Sequence, residues 1–153
     1  MECFCWGACS NNTYLRVFKL KKKAIRIIAN MGFRESCRPA FKKLQLLTLP
    51  SLYILETVLF CMSKCALTRG RDIHEYETRG RDDYRTGRHR TVVYEHLPSQ
   101  AGVRYINRLP DSIKNEQTPK ALKTRLKRFL ASKAFYNVDE SLNQSWETTD
   151  SEE

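Results

Sequence analysis

Between Asn12 and Asn30 apolar side chains recur every three or four residues: Tyr14, Val17, Phe18, Ala24, Ile25 and Ile28 share one face, and Arg16, Lys19, Lys22, Lys23 and Arg26 share the other. That spacing predicts an amphipathic helix with an apolar stripe backed by a basic one. Asn12 is its N-cap candidate and Gly32 its stop signal. Lys21 falls inside the apolar arc and must snorkel or meet a polar partner. Ser36 and Pro39 open a shorter helix carrying Phe41 and Leu44, and Thr48 with Pro50 opens a third. In the third, Leu52, Ile54, Leu55, Val58, Leu59, Phe60 and Met62 point in nearly all directions, so it belongs in the middle of a bundle.

From Thr68 to Arg90 this periodicity stops. Thr-Arg-Gly-Arg-Asp occurs at 68–72 and again at 78–82, and Gly70, Gly80 and Gly87 break any helix. Two copies cannot build a repeat architecture. Thr91-Val92-Val93-Tyr94 suits a short extended piece, after which Ser99 caps a helix ending near Asn107-Arg108-Leu109-Pro110. The last helix starts at Thr118-Pro119 and runs to about Ala134, burying Leu122, Leu126, Phe129 and Leu130. The fold class expected is mainly α, a small bundle of about five helices with a long basic Arg/Gly loop and a disordered acidic tail. The divisions are 1–11, 12–66 (helical core), 67–98 (connector), 99–138 (C-terminal helices) and 139–153 (tail). The expected core is Phe18, Ile25, Ile28, Phe41, Leu44, Leu52, Leu55, Leu59, Leu126, Phe129 and Leu130.

Charge sharpens the picture. All 27 Lys and Arg precede residue 139 but only 11 of the 17 acids do, so residues 1–138 carry +16 within a chain of +10. Such a body should seek polyanions. No secretory signal is legible at Met1–Ser10. The apolar run Leu46–Met62 contains Pro50 and Glu56 and falls short of the roughly 20 residues of a membrane span. An intracellular protein, cytoplasmic or nuclear and away from membranes, is expected. The six cysteines (Cys3, Cys5, Cys9, Cys37, Cys61, Cys65) lack structural-zinc spacing and should be free thiols in a reducing compartment; Cys3, Cys5 and Cys9 as metal ligands are the weaker alternative.

Catalytic chemistry finds little support. Asp82-Asp83, the sole Asp-Asp pair, sits in a charged, turn-prone run without flanking alternating strands, and reads as a solvated loop rather than a metal-holding hairpin. His74, His89 and His96 lack a matched nucleophile motif, and no Gly-rich phosphate loop or His-Glu metal motif occurs. No cofactor is expected. Arg69, Arg71, Arg79, Arg81, Arg85, Arg88 and Arg90, interleaved with Tyr76, Tyr84 and Tyr94, offer forked phosphate donors and stacking rings; composition supports a soluble connector equally. The nucleic-acid-binding candidates are Arg16, Lys19, Lys22, Lys23, Arg26, Arg79, Arg88, Arg90, Lys120, Lys123, Lys127 and Arg128.

Three linked segments, KKAIRII (22–28), ESCRPAFK (35–42) and LTLPSLYILE (47–56), resemble the region just after the polymerase domain in reverse transcriptases of jockey-like non-LTR retrotransposons. The likeness continues through Trp6-Gly7, His74-x-Tyr76-x-Thr78-Arg79, Arg88-His89-Arg90, Asn107-x-Leu109-Pro110 and Ala134-Phe135-Tyr136, and so covers nearly all but the acidic tail. Lys21 departs from the family's more usual Gln. The resemblance implies a thumb-like module, without polymerase carboxylates of its own, that holds RNA or an RNA–DNA duplex beside the parent's polymerase domain; Mg2+ would belong to that parent alone. The His-x-Tyr-x-Thr-Arg pattern fits a structural clasp as well as template contact. The alternative is a degenerate remnant, or a helical protein-interaction module.

Overall fold

The computed structural model describes residues 11–73, 75–77, 80–87, 91, 94, 97–116, 118–144 and 146. Among them seven α-helices form: α1 (Asn11–Ile28), α2 (Arg38–Lys43), α3 (Leu49–Lys64), α4 (Pro98–Arg108), α5 (Asp111–Lys114), α6 (Pro119–Lys133) and α7 (Val138–Asn143), with one 3-10 turn at Gly70–Asp72. The mainly helical class stands. Two helices beyond the five expected, α5 and α7, are too short to show a periodicity.

The helix ends follow local chemistry. Asn30, not Gly32, stops α1: it adopts the left-handed conformation at φ 49°, with Met31 N–H reaching Arg26 O (2.9 Å) and Asn30 N–H reaching Ile27 O (3.2 Å). This is a Schellman closure with Asn at the left-handed position. Gln45 closes α2 in the same way at φ 52°, through Leu46 N–H to Phe41 O at 3.0 Å. Cys37 rather than Ser36 is the N-cap of α2. Thr48 caps α3 as expected, its hydroxyl oxygen accepting from Ser51 N–H. The cap of α4 is Leu97 with Pro98 opening the helix, not Ser99.

α3 lies at the centre, packed most extensively on α4 and next on α6. Ile54, Leu55 and Val58 are buried there with Ile106, Leu122, Leu126, Phe129 and Leu130. Leu52 and Leu59, expected in the core, are half-buried against it. Gly102 permits the α3–α4 approach: a side chain there would run into Cys61 and come within 3.0 Å of Thr57 O. The Cys61 thiol donates to Pro98 O (3.2 Å), and its burial, with Cys65 nearby, pushes its pKa up to about 12.

A second, smaller cluster joins Ile25, Cys37, Ala40, Phe41 and Ala134. The chain passes between the clusters at Ala134, left-handed at φ 50°. Phe135 then enters the main core, ring-stacked on Trp146 at 5.7 Å. Tyr136 enters the other, edge-on to Phe18 at 5.3 Å and to Phe41 at 6.3 Å. Thr48 donates its hydroxyl to Phe135 O at this junction.

Two expected core members lie outside. Ile28 and Leu44 are exposed: Ile28 lies off the inward side of α1, which runs through Phe18, Ile25 and Ala29, and Leu44 is the C-cap of α2, next to the left-handed turn at Gln45. The disordered tail also needs correction, since α7 crosses the boundary at 138/139 and Trp146 is 3% exposed. Asn137 caps α7 by accepting from Asp139 N–H, and the carboxylates of Asp139 and Glu140 suit its N-terminal dipole. Met1–Ser10, Val92, Val93 and residues 147–153 lie outside the described residues.

Trp146 stacks on Tyr105 and Phe135, touches Phe129, and donates its indole N–H to Ser141 O. Trp146→Ala should therefore lower stability by about 3–5 kcal/mol in a denaturant titration. A loss under about 0.5 kcal/mol, the range of an ordinary surface change, would remove this ring from the core.

Candidate nucleic-acid interface

The cations of α1 divide by helix face. Arg16, Lys19 and Lys23 are exposed, whereas Lys22 and Arg26 are half-buried. The seam that α1 turns inward is Phe18, Lys22, Ile25 and Ala29, spaced i, i+4, i+7, i+11, so a lysine occupies a packing position. The Lys22 ammonium lies 4.3 Å from the Phe18 ring centre and 4.2 Å from that of Tyr136. Burial, the largest influence, pulls its pKa below the ordinary lysine value, while the two ring faces hold the cation. Lys21 is half-buried, in keeping with its place in the apolar arc.

Arg26 is committed to the turn after α1. Its Nη2 donates to Glu35 O at 3.2 Å and its guanidinium lies 5.9 Å from the Phe33 ring centre. Arg38 also sits 4.6 Å from the Tyr136 ring centre and pairs with Glu140 at 2.8 Å. Partial burial opposes ionisation of Glu140, but the Tyr136 N–H and Arg38 outweigh it and hold the carboxyl below its usual range. Lys22 and Arg38 thus fasten α1 and α2 to the segment before α7.

The Arg/Gly segment folds on itself. Its two repeat copies meet: Gly70 N–H donates to Asp83 O (3.1 Å) and Arg71 N–H to Arg81 O (2.8 Å), with an antiparallel bridge between Arg69 and Tyr84. A Cβ on Gly70 would stand 2.8 Å from Gly80 O. Three of the described arginines are engaged within the loop: Arg69 donates to the Tyr84 hydroxyl (2.9 Å), Arg71 pairs with Asp82 (3.4 Å) and Arg81 with Glu77 (3.2 Å). Asp82 and Asp83 are exposed in this turn, and no group of three or more His, Cys, Asp or Glu that could hold a metal occurs among the described residues. Arg79, Arg88 and Arg90, with His74, Thr78, His89 and His96, lie outside the described residues.

Asn107 carries a role that its sequence motif did not reveal. Its amide pairs with the Tyr84 backbone in both directions, accepting from N–H at 2.8 Å and donating to C=O at 2.8 Å. An Asn just before a helix-ending Leu-Pro was the available signal; the partner lies 23 residues away.

The basic face of α6 is open. Lys120, Lys123, Lys127 and Arg128 are all exposed, the first three at i, i+3, i+7 along about 10 Å of helix. Arg125 points elsewhere, donating to Ser112 O at 3.1 Å and pairing with Glu116 at 3.1 Å. Neither α1 nor α6 contains an Asp or Glu. Comparison with protein-family models, with curated proteins and with solved structures gives no match. No helix of the described residues is long and apolar enough to cross a membrane.

Two neighbouring lysines should separate packing from surface charge. Lys22→Gln should cost about 0.5–2 kcal/mol through the lost ring contacts, whereas Lys23→Gln should change stability by no more than about 0.5 kcal/mol; equal thermal shifts would remove Lys22 from its ring pair. Asn107→Ala leaves the Tyr84 N–H and C=O without their partner, which should cost about 1–3 kcal/mol. Amide exchange at Gly70, Arg71 and Arg85 should accelerate with it, and unchanged exchange would show that the loop holds without Asn107.

Proposed function

We propose that this chain is a non-catalytic nucleic-acid-holding module, the thumb-like region that follows the polymerase domain of a jockey-like non-LTR retrotransposon reverse transcriptase. Its partners are RNA or an RNA–DNA duplex and the polymerase domain of the parent polypeptide. The observation that carries this reading is the absence of any acid from α1 and α6. A face kept merely soluble gains from interspersed charges of both signs, because Glu and Lys at i, i+4 stabilise a helix while like charges there destabilise it. Runs of cations without counter-charge are tolerated where an external anion supplies it.

The α6 face is the main phosphate contact. Lys120, Lys123, Lys127 and Arg128 project from a helix whose opposite side is locked by Leu122, Leu126, Phe129 and Leu130. Arg16, Lys19 and Lys23 add a second exposed basic ridge on α1. Lys22 and Arg26 contribute charge at longer range, their side chains being engaged in packing. Lysine ammonium groups on a regular helix read backbone charge and spacing rather than base edges, so binding is largely indifferent to sequence.

Anisotropy titrations of two unrelated RNAs and an RNA–DNA duplex against salt test this. The two sequences should bind alike, with an affinity that falls steeply as salt rises. Lys120→Gln/Lys123→Gln/Lys127→Gln keeps helix propensity and should reduce the magnitude of the log–log slope by about two to three units. Absence of affinity at low salt, or a slope untouched by the triple change, would discard the module reading in favour of a remnant whose charges only solvate its surface.

A further inference from the structure

α1 has a third face. Opposite its buried seam, Leu20, Ala24 and Ile27 follow at i, i+4, i+7 with Ile28 beside them; Leu20 is 64%, Ile27 81% and Ile28 65% exposed, and Ala24 is exposed too. The spacing is that of a coiled-coil seam, in which each apolar position receives a side chain from a facing helix. Ala24 leaves a notch between Leu20 and Ile27 into which a larger partner side chain fits. Arg16 and Lys23 border the seam, one turn before and one turn after Leu20, where flanking charges choose the partner.

We propose that this outward face of α1 docks an acidic amphipathic helix of another polypeptide, whose apolar seam packs on Leu20, Ala24 and Ile27 and whose flanking carboxylates meet Arg16 and Lys23. Charge complementarity commits the face to this occupant. A second copy of the chain would bring Arg16 and Lys23 against cations of the same helix, with no acid on α1 to answer them, and like charges across a seam are destabilising. RNA would press phosphates toward aliphatic Leu20, Ile27 and Ile28, which offer no ring for base stacking. A lipid surface favours a broad band of bulky residues, whereas this seam is narrow and notched at Ala24. The docked helix would take Arg16 and Lys23 from the α1 ridge and leave Lys19 and the α6 face to phosphate.

The test uses the full chain and a labelled synthetic helix of about three heptads with Leu at the seam positions and Glu at the flanks; the Glu flanks keep the probe from pairing with itself. A scrambled peptide of equal composition is the control. The seam peptide should bind more tightly than the scramble by on the order of tenfold, and Leu20→Ser/Ile27→Ser should remove that advantage. The exposed sites predict an unchanged melting temperature for this variant, and its RNA salt slope should also be unchanged, which separates failure here from failure of the phosphate-holding role. Equal affinity for the two peptides, or for variant and parent, overturns the proposal. So does loss in the variant of RNA affinity, of flotation with phosphatidylserine vesicles, or of self-association in sedimentation, each of which hands the face to a different occupant.

Discussion

The left-handed residue Ala134 is the constraint on which the arrangement depends. One residue in that conformation sends successive aromatic side chains in opposite directions, Phe135 onto Trp146 and Tyr136 onto Phe18 and Phe41. A non-glycine residue held there costs on the order of 1–3 kcal/mol, whereas each large apolar side chain it buries returns about 1.5–3 kcal/mol. Full burial of Phe135 and partial burial of Tyr136 together offset the strain. The Thr48 hydroxyl, donated to Phe135 O, ties the same point to the start of α3, so one junction sets where the central helix begins and where α1 and α2 attach.

Attachment by this junction explains why some cations are structural. The smaller cluster has few aliphatic members, and Lys22 and Arg38 extend it by stacking on Tyr136 from their own helices. In the loop, Arg69, Arg71 and Arg81 each find a partner within the segment, and Arg125 ties α6 to the carbonyl of Ser112. Exposed ion pairs are individually weak, of order 0.2–1 kcal/mol, so phosphate could compete for the loop arginines. Lys22 is different, since moving it out would also expose ring surface. The cations most readily offered to a polyanion are therefore those of α6 and the outer ridge of α1.

The sequence was most legible where periodicity was long and uninterrupted. The stripe Leu122, Leu126, Phe129 and Leu130 is buried as its spacing implies, and Thr48 caps α3 as expected. Lys22 was misread because its charge hid a place in the inward seam; a binary apolar–polar pattern cannot recognise a lysine held between two rings, one of which is 114 residues away. Trp146 was misread for the converse reason, an aromatic within an acidic, Ser/Thr-rich composition that resembles a solvated tail. Asn30 and Gln45 stop helices without glycine, so the nearest Gly or Pro gives the wrong boundary. The open basic face of α6 was readable in advance, because Leu122, Leu126, Phe129 and Leu130 fill its inward positions and leave Lys120, Lys123, Lys127 and Arg128 outside that stripe.

The same charge that suits this body to a polyanion works against the body itself. With +16 over residues 1–138 and neither α1 nor α6 carrying an acid, self-repulsion opposes the compact state. A ligand that neutralises these faces in the folded form alone both relieves the repulsion and adds its own binding free energy to stability. Added salt separates these contributions: screening relaxes internal repulsion and so favours the fold, while it weakens phosphate binding through the counterions it supplies. An acidic helix seated on α1 would act locally in the same sense, supplying Arg16 and Lys23 with the counter-charge that their own helix lacks. Any anion held by these faces would thus be coupled to the fold through charge: the unbalanced helices cost stability in isolation and would recover it on binding.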